Sequence, residues 1–174
     1  TGNFSSDIRA YNNFKRDGAT QDYDWSFTIF VVNDEVDPDD AFQLGGQFTK
    51  AFSFAGGRFM VVPASRPAST FAHEAAHAFW ALDEYSGTTA NYLTRRGYYN
   101  TPNSNHASNP DPEFVQEDSI MANDPARENA WLGNVTSTSS REMLGWKDTD
   151  GDGLFDVLDV PFLLEGVGRY DSSL

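Results

Sequence analysis

A histidine pair marks the stretch of this chain whose residue types are best suited to chemistry. The sequence HEAAH places His73 and His77 four residues apart, with Glu74 directly after the first histidine. On an α-helix, residues four apart lie on one face, so both imidazoles can reach one metal ion. Glu74 is offset around the helix, where a carboxylate can hold a water at the metal without being a ligand. The pattern therefore predicts a zinc centre with Glu74 as its general base.

The same helix has a simpler interpretation, in which the two histidines are ordinary core or surface residues. A catalytic zinc site needs a third protein ligand as well as an open position. Asp83 and Glu84 lie ten and eleven residues after His73. In a continuous helix, Glu84 would share the histidine face but lie roughly 10 Å beyond His77, at about 1.5 Å per residue. A third ligand from this pair therefore requires the helix to stop between residues 79 and 82 and the chain to fold back.

Two other residues compete with Asp83 for the third ligand position. His106 lies in a long irregular segment, residues 86–118, which is rich in Gly, Asn, Ser, Thr, Pro and Asp. Long ordered loops are usually functional. Glu84 is the other competitor, although a role in bracing the loop or in binding a cation suits it better. Within this segment, residues 99–113 are compatible with a second calcium site and equally with a polar loop that contains Asx turns.

The strands that must position the helix are short. Residues 25–33, WSFTIFVVN, are apolar and β-branched and predict a buried strand. Residues 58–62, RFMVV, predict a second strand that ends at Pro63. Between them, residues 41–54 are compatible with a helix or an irregular segment, because the Gly-Gly pair inside them weakens a helix.

Two helices are expected. Ser69 and Thr70 are good N-caps and predict that the histidine helix begins near Phe71. Residues 139–146, SSREMLGW, predict a short second helix with a capping box at its start and Gly145 at its end.

A second motif follows the histidine helix. Residues 118–123 read DSIMAN and predict a brief apolar turn. HExxHxxxxxD followed by S-I-M resembles the metzincin clan of zinc metallopeptidases, and HEAAHAFWALDEY, ending in LDEY, is most similar to the IgA-type metallopeptidase family. The resemblance implies three zinc ligands, a general base and a turn methionine beneath the metal. These are His73, His77 and Asp83, then Glu74, then Met121.

The resemblance also implies an α/β fold of the zincin type. Its parts are a twisted mixed sheet, the active-site helix and a loop-rich C-terminal subdomain. In zincins an edge strand before the helix pairs with the extended substrate, which is β-augmentation. The corresponding residues here are Arg58, Phe59, Met60, Val61 and Val62.

The chain departs from the metzincin pattern where the helix must break. Trp80 stands at a position that is usually Gly. Because Trp does not take a positive φ cheaply, we expect a break of a different shape there. Asn123 replaces a Tyr that follows the methionine turn in some families, so oxyanion stabilisation by that Tyr is not expected.

Residues 148–159, DTDGDGLFDVLD, form a separate acidic motif. They match an EF-hand-like loop, with Gly153 at the position of the sharp turn. The loop resembles those of dockerins and thrombospondin type 3 repeats and predicts structural Ca²⁺; a solvated acidic run is the alternative. Its carboxylate ligands are expected to be Asp148, Asp150, Asp152, Asp156 and Asp159. We expect a catalytic domain over residues 1–147, with residues 148–174 as the calcium loop and a tail packed on it.

The composition of the chain argues against several classes of binding partner. The net charge of -14 argues against nucleic acid and anionic membranes, because no basic patch is available to neutralise phosphates. No apolar run approaches the length of a membrane span, and no cysteine is present for disulfides or thiolate–metal sites. We therefore expect a secreted or cell-surface, bacterial protein, monomeric within a larger modular chain.

Three functions follow from these features. The first is a zinc-dependent endopeptidase that acts on a protein or peptide substrate. The second is a non-catalytic, calcium-stabilised binding or adhesion module that kept the fold; the intact Glu74 argues against it. The third is a zinc hydrolase with a substrate other than protein.

Overall fold

The protein is described by a computed structural model over residues 3–18, 25–33 and 50–158. In these residues it is a mixed α/β protein with four helices and two small sheets, which confirms the expected α/β class. The chain divides into two units, residues 1–80 and 81–174. The separate segment expected from residue 148 onward stays a prediction, because residues 159–174 lie outside the described ones.

The first unit contains two helices and a three-stranded sheet. In the order β1-β3-β2, β1 runs parallel to β3 and β2 runs antiparallel to it. The elements are α1 (Phe4–Asp17), β1 (Thr28–Val32), β2 (Phe52–Ser53), β3 (Phe59–Pro63) and α2 (Ala68–Ala78). Both predicted strands are therefore present, and residues 41–49 of the ambiguous segment lie outside the described part.

β1 is less buried than its composition predicted. Ile29 is 43% and Val31 58% exposed, because β1 is an outer strand of the described sheet and its side chains alternate between faces. β3, by contrast, buries Met60 and Val62 completely. The core of this unit therefore lies on β3, next to the helix that carries the histidines.

The expectation that residues 58–62 form an edge strand is wrong for Met60 and Val61, the two residues that β2 covers. β3 is the central strand, and Val61 lies opposite Phe30 of β1 on one side and Phe52 of β2 on the other. Its neighbour Met60 is likewise flanked on both sides. A peptide cannot add to this part of β3, since both of its edges are already hydrogen-bonded to strands.

α1 has no counterpart among the predicted elements. Asn3 caps it by accepting a hydrogen bond from the Ser5 N–H at 3.2 Å. The buried Asn12 joins the helix to the sheet, because its Nδ2 donates to the Arg58 carbonyl at 2.9 Å and its Oδ1 accepts from Thr28 Oγ1 at 2.7 Å. This polar connection fixes α1 against the start of β1 and β3.

The second unit is built from short elements. It contains the antiparallel pair β4 (Arg95–Arg96) and β5 (Thr101–Pro102), then α3 (Ala126–Gly133) and α4 (Thr138–Leu144). The predicted second helix is α4, but its N-cap is Ser137, which accepts from the Ser140 N–H at 3.1 Å, so the capping box expected at residue 139 is wrong. Gly145 ends it with φ 87, as predicted. Among all described helices, none has the length and apolar character needed to cross a membrane.

Candidate metal centre

α2 carries the histidine pair. It begins at Ala68, three residues before the predicted start, and Pro67 occupies the N-cap position without a side-chain hydrogen bond. The N-cap prediction for Ser69 and Thr70 is therefore wrong, since both lie inside the helix and are buried. Proline suits the beginning of a helix because it has no N–H to leave unsatisfied.

The end of α2 has the break that a third ligand requires. The helix ends at Ala78, and Phe79 is its C-cap. Trp80 then adopts φ 77, which corrects the expectation that tryptophan avoids this conformation. Its N–H still donates to the His77 carbonyl at 3.0 Å. The chain leaves the helix axis here, so the residues that follow are not carried further along it.

Gly56 explains how Trp80 is accommodated. The Gly56 N–H donates to the His77 carbonyl at 3.1 Å, which ties the turn before β3 to the last turn of α2. A Cβ on Gly56 would overlap the indole of Trp80, so only glycine allows this close approach. The helix end is thus shaped by a residue that lies more than twenty positions earlier in the chain.

His73, His77 and Asp83 form a group whose ligand atoms all lie within 4.8 Å of one another. The two imidazole rings are 4.7 Å apart between centroids and nearly perpendicular, at 84°. Two imidazole nitrogens with one carboxylate oxygen are a donor set that zinc favours, and three protein ligands leave a position open. Glu74, directly after the first histidine, is buried on the same helix. The residues present therefore fit a catalytic zinc ion.

The backbone around Asp83 is held by hydrogen bonds from the long irregular segment. Asn103 Nδ2 donates to the Asp83 carbonyl at 2.7 Å. The Glu84 N–H donates to the Met121 carbonyl at 3.0 Å, and the Ala107 N–H donates to the Glu84 carbonyl at 2.9 Å. The predicted turn around Met121 is present, and its side chain is fully buried. The turn therefore lies against the residue that follows Asp83.

The two competitors for the third ligand position lie outside the histidine group, although the buried Nε2 of His106 has no hydrogen-bond partner among the described residues. Glu84 is 0% exposed and accepts hydrogen bonds from serine hydroxyls and from Asn105. His106 is also buried, and its Nδ1 accepts from the Ser108 N–H at 2.9 Å. Neither belongs to a group of described residues with metal-ligand spacing. Asp83 is the one that the geometry groups with the histidines.

The acidic loop brings three of its predicted ligands together. Carboxylate oxygens of Asp148, Asp150 and Asp152 lie within 4.8 Å of one another. Gly153 has φ 87, as the sharp turn of such a loop requires. Asp148 accepts from the N–H of Gly151 at 2.7 Å and from that of Gly153 at 3.0 Å. Three carboxylates of the loop are therefore close together, and two of them, Asp150 and Asp152, are exposed.

The other two predicted calcium ligands have different outcomes. Asp156 is buried, and its carboxylate accepts from the N–H and the hydroxyl of Thr149, both at 2.7 Å. It lies outside the three-carboxylate group. Asp159 lies outside the described residues. Burial, and then the charge of Asp156, raises the pKa of Tyr99.

Residues 99–113 have the character of a polar loop with Asx turns. Asn109 Oδ1 accepts from the Asp111 N–H at 3.1 Å, and Asp111 Oδ1 accepts from the Glu113 N–H at 2.9 Å. The described part of this loop contains no group of carboxylates and histidines with metal-ligand spacing. The second calcium site gains no support from this arrangement.

Comparison of the chain with family models, with curated proteins and with solved structures finds no match.

Proposed function

We propose that this protein is a zinc-dependent endopeptidase of metzincin type. The observation that carries the proposal is the convergence of His73, His77 and Asp83 at the point where α2 breaks. If the histidines were ordinary core residues, nothing would require the helix to end directly after them or a carboxylate to lie beside their imidazole rings. The turn at Met121, bonded to the residue after Asp83, also supports this type.

Each residue then has a distinct part in peptide hydrolysis. When bound, zinc polarises the scissile carbonyl and lowers the pKa of a water toward ~7. His73, His77 and Asp83 would hold the ion. Glu74 accepts the proton of the attacking water and donates it to the leaving amine. Because Glu74 is buried, its electrostatic effect on the reacting atoms is less screened than at the surface.

We also propose that the acidic loop binds Ca²⁺ in a structural role. The carboxylates of Asp148, Asp150 and Asp152 lie close enough together to share one cation, which would offset their mutual repulsion. Structural calcium sites of low affinity are typical of extracellular modules. We therefore propose a secreted or cell-surface location together with the calcium site.

The peptidase proposal is tested by digestion of a mixed peptide library, read by mass spectrometry. The samples are the wild type, Glu74→Gln and Glu113→Gln, each with its zinc content measured. Glu113 is an exposed glutamate in the polar loop and serves as the matched control. We expect cleavage by the wild type and by Glu113→Gln, and its loss in Glu74→Gln with zinc retained.

Two results contradict this. Undiminished cleavage by Glu74→Gln refutes the assignment of the base. Absence of cleavage by a wild type that holds zinc refutes the endopeptidase and favours the calcium-stabilised binding module.

A further inference from the structure

Glu84 is a fully buried acid whose carboxylate is surrounded by side-chain donors. It is 0% exposed. One carboxylate oxygen accepts from the hydroxyls of Ser137, of Ser139 at 3.3 Å and of Ser140 at 2.8 Å. The other accepts from Asn105 Nδ2 at 2.7 Å. The donors come from the start of α4 and from the long irregular segment, so Glu84 joins both to the chain that follows α2.

Stability alone does not account for an acid in this position. No basic side chain in the described residues forms an ion pair with Glu84. Moving a carboxylate out of water carries a large desolvation cost, which no ion pair in the described part of the chain compensates. An apolar residue of similar volume is often at least as stabilising in such a place. The acid at position 84 is better explained if its hydrogen bonds hold the neighbouring chain in one position than if they only stabilise the fold.

What Glu84 holds in place is the peptide that links it to Asp83. Its N–H donates to the Met121 carbonyl at 3.0 Å, and its carbonyl accepts from Gln116 Nε2 at 2.7 Å. The carbonyl of Asp83 accepts from Asn103. With the side chain of Glu84 also fixed, the backbone at Asp83 has little freedom, and the direction in which its carboxylate leaves the chain is set.

We propose that Glu84 is a positioning residue that orients Asp83 as the third metal ligand. The proposal rests on the zinc centre proposed above. Groups that orient a ligand without touching the metal typically contribute a factor of 10 to 100 in metal affinity. Loss of the hydrogen bonds to Glu84 should therefore weaken metal binding although no ligand has been changed.

Substitution of Glu117 is the control for the alternative that Glu84 only anchors α4. Glu117 is an exposed glutamate that also bonds the start of α4, accepting from the Thr138 N–H at 2.9 Å and from its hydroxyl at 3.3 Å. If anchoring of α4 were all that mattered, substitution at Glu117 would affect the metal in the same way as substitution at Glu84.

The test compares the wild type with Glu84→Gln, Ser140→Ala and Glu117→Gln. Three quantities are measured: the zinc dissociation constant by competition with a chelating dye, the visible spectrum after substitution with Co²⁺, and the thermal midpoint of the metal-free protein. Gln preserves the shape of Glu84, and rotatable hydroxyls can accept from its amide. Ser140→Ala removes a single donor and keeps the helix cap at Ser137.

We expect Glu84→Gln to weaken zinc binding about 10- to 100-fold and to shift the Co²⁺ bands. Ser140→Ala should change both in the same direction by less, and Glu117→Gln should change neither. Wild-type affinity and spectrum in Glu84→Gln would overturn the positioning role, as would an equal loss in Glu117→Gln. If Glu84→Gln does not fold, wild-type values in Ser140→Ala overturn it instead. A wild type that binds neither zinc nor Co²⁺ refutes the metal centre itself, which separates the two failures.

Discussion

The turn that ends α2 depends on a glycine at position 56, and Gly56→Ala tests this. Gly56 has φ 65, and its N–H bonds the carbonyl of His77. The indole of Trp80 occupies the space that a Cβ would need. The substitution therefore adds one methyl group at the point where the turn before β3 meets the end of the helix.

Two costs are expected from this methyl group. A left-handed backbone costs an L-residue with a Cβ about 1–2 kcal/mol relative to its usual conformations. Overlap with a packed ring costs about 1–3 kcal/mol more, because the indole or the turn must shift. The sum, about 3.5 kcal/mol at the middle of these ranges, lowers the thermal midpoint by about 7–14 °C in a chain of this length.

Thermal unfolding of the metal-free protein measures the effect, with Gly87→Ala as the control. Gly87 also has a positive φ, 92, but a Cβ there meets nothing within 4 Å. It should therefore show the backbone cost alone. In the background of Trp80→Ala, Gly56→Ala should cost no more than Gly87→Ala, because the obstructing ring is gone. Equal losses for the two glycines in the wild-type background would refute the proposed packing.

Three further predictions concern the metal sites and a buried hydroxyl. Asp83→Ala should sharply reduce the zinc bound per chain in elemental analysis, and unchanged stoichiometry would assign the third ligand to another residue. At a Ca²⁺ concentration of about 100 times the Kd, bound Ca²⁺ stabilises the fold by about 2.7 kcal/mol, so its removal by EGTA should lower the thermal midpoint by about 5–10 °C. Asp152→Asn should reduce this shift, and an equal shift in the variant would exclude the loop as its source. Tyr99→Phe should change the thermal midpoint by less than about 2 °C or raise it, because the buried hydroxyl has no hydrogen-bond partner among the described residues and its burial costs free energy. A larger fall of the midpoint in calorimetry would show that the hydroxyl is stabilising.

The elements that sequence identified are those with a strong local signal. β1, β3 and α2 have apolar or metal-ligand periodicity, and Gly145 ends α4 with the left-handed conformation expected of it. α1 was missed although Phe4, Ile8 and Tyr11 recur at the spacing of one helical face. This spacing and the cap at Asn3 were both usable signals. The central position of β3 depends on β2, which is too short to be recognised from sequence.

The candidate site also has a part that the sequence predicts and a part that it does not. The spacing of His73, His77 and Asp83 lies within eleven residues, so the sequence alone suggested the group. The surroundings of Glu84 were out of reach, because its hydroxyl donors lie more than fifty residues further along the chain. Nothing in the local pattern indicates that Ser140 faces an acid. Serines at the start of a helix predict caps, and one of them does serve as the cap.

Trp80 shows why a sound local rule failed at this position. The rule that tryptophan avoids a positive φ rests on a cost of about 1–2 kcal/mol, which tertiary packing can offset. Here the indole packs where Gly56 offers no Cβ, and the Gly56 N–H bonds the last turn of the helix. The glycine expected at the break is thus present in space but at position 56 rather than 80. The turn that ends α2 accordingly depends on both Gly56 and Trp80, and a change at either residue should disturb it.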